Sequence, residues 1–106
     1  MATPTDDRRD LLTVIAYMQA APGKEDELRR ELTALIEPTL REDGVVNYDL
    51  HESVEQPGAF FFYENWESAA KLDAHLATPH LVRFAGLTAD LLDDTGLTIN
   101  RVSRIA

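Results

Sequence analysis

The chain of 106 residues has no cysteine. That removes disulfides, thiolate-held zinc and thiol nucleophiles, and it agrees with a reducing, cytoplasmic home. Positive charge is also scarce: ten Lys and Arg stand against nineteen Asp and Glu, a formal net charge of −9. Such a surface repels phosphate backbones and anionic bilayers, so neither nucleic acid nor membrane is an expected partner. No apolar run approaches the length of a membrane span. The five glycines are scattered at element ends, which leaves no phosphate-cradling loop and no dinucleotide fingerprint. Ser53, Ser68 and Ser103 sit in no nucleophile elbow. His51, His75 and His80 follow no spacing of the HxxxH or HExxH kind, so no metal site is expected. The opening "MATPTDDRRD" lacks the apolar centre of a secretory signal and reads as a disordered tail over residues 1–10, ahead of one domain over 11–106.

What is present alternates between strand and helix signals. "LLTVIAYMQA" (11–20) is a strand closed by Pro22-Gly23. In the following "KEDELRRELTALIEPTLRED", Leu28, Leu32, Leu35, Ile36 and Leu40 fall on one helix face, with Pro38 loosening the last turn and Gly44 ending it. "VVNYDLHESV" (45–54) alternates Val46, Tyr48 and Leu50 against Asn47, Asp49 and His51. "EQPG" turns the chain into a second strand, "AFFFYENW". Ser68 caps a helix carrying Leu72 and Leu76, and Thr78-Pro79 opens another, "HLVRFAGLTADLLDD", that presents Leu81, Phe84, Ala85 and Leu91. "GLTINRVSRI" is the closing strand. The order is the α+β, ferredoxin-like β-α-β-β-α-β arrangement, with helices on one face of an antiparallel sheet. Its other face needs a cover, and a second copy stacked sheet to sheet supplies one, so a homodimer is expected.

The stretch "FFFYENWES" (60–68) holds the main site candidates. Strand geometry puts Phe60, Phe62, Glu64 and Trp66 on one face. A carboxylate among aromatics must be paired, solvated or protonated, so Glu64 is either an exposed group at a sheet edge or a pocket group. Trp66, the single tryptophan, is either a core aromatic or the wall of a pocket for a planar ligand. His75 lies at the margin of its helix's apolar stripe, as a boundary residue or as a general base, since imidazole titrates near neutrality.

Three segments, "TVIAYMQAAPGKEDELRREL", "GVVNYDLHES" and "PGAFFFYENWESAAKLDAHLATPHLVRF", resemble the antibiotic biosynthesis monooxygenase superfamily, in particular its small quinol monooxygenase-like branch. The "YENW" strand end and "LDAHLATPH" are the most specific parts. The resemblance implies a dimeric α+β barrel of two ferredoxin-like protomers, with a pocket between sheet and helices. It implies His75, Trp66 and Glu64 as catalytic residues and Phe60, Phe62, Asn47 and Tyr48 as substrate-binding ones; Asn47 and Tyr48 point to opposite faces and cannot both line one pocket. The implied activity is oxidation of a small planar quinol or anthrone-type aromatic to a quinone, with molecular oxygen as co-substrate and no metal or organic cofactor. Haem-degrading relatives carry a histidine further along, which "RFAGL" lacks, so haem breakdown is disfavoured. The competing classes are an isomerase or other small-carbonyl enzyme on the same scaffold, and a non-catalytic dimeric binding or stress-response protein.

Overall fold

The computed structural model describes residues 8–106. Most of the expected disordered tail therefore lies outside the described residues, and residues 8–10 are exposed. Four strands, β1 (Leu12–Ala20), β2 (Val45–Glu52), β3 (Ala59–Trp66) and β4 (Leu92–Val102), form one antiparallel sheet in the order β2-β3-β1-β4. Helices α1 (Glu25–Thr33) and α2 (Ile36–Leu40) follow β1, and α3 (Ala69–Leu76), α4 (Pro79–Ala85) and α5 (Thr88–Leu91) follow β3. This is the expected ferredoxin-like topology.

Strand alternation decides which side chains meet the helices. Val14, Ala16 and Met18 of β1 and Phe60, Phe62, Glu64 and Trp66 of β3 are all buried. On the opposite face Ile15 is 44% exposed, Phe61 36% and Tyr63 40%, while Thr13 and Asn65 are buried as a hydrogen-bonded pair. A core of aliphatic and aromatic side chains thus fills the space between the sheet and Leu28, Leu32, Leu72 and Phe84 of the helices. β3 is central in the sheet, which rules out the edge-strand reading of Glu64.

The helical segments are more broken than periodicity suggests. The segment after β1 divides at Ala34–Leu35 rather than loosening at its end. Pro38 has no N–H to give the Ala34 carbonyl, and its ring crowds that oxygen, so the break falls one turn upstream of the proline. The restart rotates the face: Thr39 is fully buried and Leu40 is 54% exposed, off the apolar stripe. Gly44, at φ +88°, turns the chain into β2 instead of ending the helix, and a Cβ there would run into the Lys71 side chain. The expected helix through residue 94 also divides, at Gly86, leaving Ala85 exposed. β4 starts at Leu92 rather than Gly96, because Leu92 pairs with Ala20 across a register shift, and the Ala21 N–H donates to the Leu91 carbonyl at 2.8 Å.

Candidate active site

Alternation along β3 aims Phe62, Glu64 and Trp66 under the helices. The indole Nε1–H of Trp66 donates to Glu64 Oε1 at 2.9 Å, with both side chains buried. No Lys or Arg joins them among the described residues. Burial therefore pushes the Glu64 carboxyl up to about 7, against the indole hydrogen bond that favours its charge and with help from the negative Glu42. On β2, Tyr48 is the register partner of Glu64 and stacks on Phe62, ring centroids 4.6 Å apart. Burial, and next the charge of Glu64, raise the Tyr48 phenol well above its usual range, so it stays a neutral hydroxyl.

α3 delivers the imidazole. The Ser68 hydroxyl accepts from the Lys71 N–H at 3.2 Å and fixes the helix start. One and two turns further, Leu72 and His75 enter the core. His75 is 2% exposed and wedged between rings, 4.5 Å from the Trp66 centroid and 5.3 Å from that of Tyr48. Its Nδ1 lies 2.9 and 3.0 Å from the two carboxylate oxygens of Glu42, on the turn after α2. A carboxylate accepts, so Nδ1 carries the proton and the lone pair is left on Nε2. Nε2 makes no hydrogen bond to any described residue. Burial lowers the imidazole's proton affinity more than Glu42 raises it, so the ring is neutral near pH 7 and able to take a proton.

These groups border a cavity between the sheet and helices α3 and α4. Of its fourteen lining residues only Tyr48, Glu64 and His75 carry polar side-chain groups. The cavity runs on, past Leu76, Leu81 and Phe84, into an open groove bounded by α5 and β4. The lining is apolar apart from one imidazole, one carboxyl and one phenol.

Tyr48, Phe62, Glu64 and His75, all expected at a pocket, are brought together there. Trp66 is fully buried behind them, a support for Glu64 and His75 rather than a wall. Phe60 is also core, with the Arg29 guanidinium 5.7 Å over its ring, and does not line the cavity. Asn47, expected to bind substrate, lies on the opposite sheet face, because its neighbour Tyr48 is the inward residue. There its amide donates to the Tyr63 carbonyl at 3.1 Å and to Asp49, and its oxygen accepts from Asn65. Glu42 was not among the expected site residues: in sequence it is one more charge in "RED", and only tertiary contact across 33 residues reveals it. It also meets His80, whose Nε2 is 2.6 Å from Glu42 Oε2, so two of the three histidines share one carboxylate.

Residues 11–87, which include Tyr48, Glu64 and His75, match the sequence profile of the family described as antibiotic biosynthesis monooxygenase. The fold superposes on the crystal structure of PA3566 from Pseudomonas aeruginosa with a TM-score of 0.86 and 37% identity, over 92% of this chain and 96% of that one. The chain is 30% identical over 94 residues to the Escherichia coli protein named "Probable quinol monooxygenase YgiN", covering 78% of this chain and 90% of the relative. It is 31% identical over 83 residues to the uncharacterised protein sll1783 of Synechocystis, where the match spans 78% of this chain but only 56% of the relative's length. By profile, identity and fold together, the chain belongs to the antibiotic biosynthesis monooxygenase family.

Proposed function

We propose that this protein is a cofactor-independent monooxygenase that uses O2 to convert a planar quinol- or anthrone-type aromatic into a quinone. The observation that carries the reading is the His75 imidazole: buried, neutral, held at Nδ1 by Glu42, and free at Nε2 beside an otherwise apolar cavity. Family membership and the name of the Escherichia coli relative support the reaction class.

Ground-state O2 reacts poorly with a neutral closed-shell molecule, whereas an electron-rich anion can pass it one electron. Nε2 of His75 removes the proton that creates this anion, a step worth about 10²–10⁴-fold. The radical pair combines at the ring carbon, and loss of water from the hydroperoxide leaves the new carbonyl. One oxygen atom enters the product, the other leaves as water with two substrate hydrogens, and the substrate supplies all the electrons. Glu64, in its protonated form, donates a hydrogen bond to the substrate oxygen, and the apolar walls exclude bulk water.

The same reading has the protein act as a homodimer. Ile15, Phe61, Tyr63 and Val102 lie half-exposed on the sheet face that no helix covers, and a second copy stacked on that face buries them. The test of the activity is oxygen uptake on a panel of anthrones and dihydroxy-aromatics, with quinone formation followed by absorbance. Uptake with quinone product is the expected result; no uptake across the panel would remove the proposal.

A further inference from the structure

Glu42, His75 and His80 come from three separate elements: the turn after α2, the last turn of α3 and the first turn of α4. Nδ1 of His75, Nε2 of His80 and the Glu42 carboxylate nonetheless lie within 4.8 Å of one another. One carboxylate oxygen, Glu42 Oε2, faces both ring nitrogens, 2.9 Å from His75 Nδ1 and 2.6 Å from His80 Nε2. Glu42 is 13% exposed, and among the described residues its only ion-pair partners are these two imidazoles. No Lys or Arg pairs with this mostly buried carboxylate among the described residues. Imidazole and carboxylate donors in this number suit a zinc-like divalent ion. His80, 22% exposed, leaves a route from solvent.

We propose that Glu42, His75 and His80 are the ligands of a divalent transition-metal site on the side of His75 away from the cavity. Binding takes up the lone pair of His80 Nε2 and moves the single imidazole proton of His75 from Nδ1 to Nε2. The proton remaining on His75 is then fixed on Nε2, and the nitrogen facing the cavity changes from acceptor to donor. Metal occupancy therefore switches off the base. This last consequence rests on the oxygenase reading; the site itself does not.

The test is calorimetric titration of the untagged, metal-free chain with zinc chloride near neutral pH. One zinc per chain is expected, with a rise in thermal midpoint. Glu42→Gln and His80→Ala, each checked for intact fold by circular dichroism, weaken binding by more than about tenfold. His51→Ala, on the far sheet face, leaves it unchanged. No saturable binding, or binding that survives both ligand variants, overturns the site. In the oxygen-uptake assay one equivalent of zinc lowers turnover and a chelator restores it. Turnover unaffected by a filled site overturns the switch alone; absence of any turnover overturns the oxygenase reading, while calorimetry still decides the metal.

Discussion

Trp66 and Glu64 stand two residues apart on β3, and the indole gives its one hydrogen bond, 2.9 Å long, to the carboxyl beside it. Neither group has another donor to share, so the acid keeps one oxygen satisfied and the other free toward the cavity. This pairing lets a carboxyl group exist on an apolar face at all, and it sets how that group titrates.

The pH dependence of stability follows from that titration. Glu64 sits at about 7 in the folded chain, against an ordinary value of 4.5. Between those values the folded state binds more protons than the unfolded one, so stability falls as pH rises through the window and levels off above it. At about 1.4 kcal/mol per pKa unit the loss is on the order of 3 kcal/mol. Urea denaturation of wild type and Glu64→Gln at about pH 5 and pH 8 isolates it. The variant loses this slope, and equal slopes in the two proteins would contradict the assignment.

Trp66→Phe removes the donor and leaves a buried carboxyl oxygen unsatisfied. The expected cost is about 1–3 kcal/mol for the lost partner, plus a packing loss from the smaller ring. The indole bond opposes the upward shift of Glu64, so its removal moves the descending limb of the stability profile to higher pH. A destabilised variant with an unmoved limb would mean that the hydrogen bond does not govern the acid.

Much of this arrangement is written in short-range pattern. Period-two alternation in "AFFFYENW" suffices to place Phe62 and Glu64 on the buried face and Phe61 and Tyr63 on the other. Ser68 as a cap is equally local. What pattern could not reach depends on distant partners. Glu42 acquires its role only by meeting residues 33 and 38 positions away. β4 begins early because Ala20 offers Leu92 a partner, which outweighs the helical period of "TADLLDD". Resemblance suggested Asn47 for the pocket, but the pleat turns it toward Asn65 and leaves Tyr48 inside.

The two sheet faces predict opposite outcomes for His75 and Asn47. His75→Ala removes the cavity base and lowers kcat by about 10²–10⁴-fold with little change in KM. Asn47→Ala, behind the sheet, leaves kcat near that of wild type. It instead lowers stability by about 0.5–1.5 kcal/mol per hydrogen bond lost. Steady-state oxygen uptake together with thermal melts separates the two; a His75→Ala enzyme of full activity would remove the proposed base.

The uncovered sheet face gives the clearest test of assembly. Tyr17 and Phe61 pack with ring centroids 5.0 Å apart, and Ile15, Tyr63 and Val102 extend the apolar surface around them. In a two-fold dimer every residue of this face appears twice, so a charge introduced once is buried twice. Phe61→Lys together with Tyr63→Lys places four ammonium groups in such an interface, whereas in an isolated protomer the same positions are already 36% and 40% exposed and carry charge at little cost. Light scattering of wild type at micromolar concentration should return twice the chain mass of 11.9 kDa, and the double variant the single mass with unchanged circular dichroism. A wild-type protein that scatters as a monomer removes the dimer; a double variant that unfolds assigns these side chains to the protomer's own stability instead.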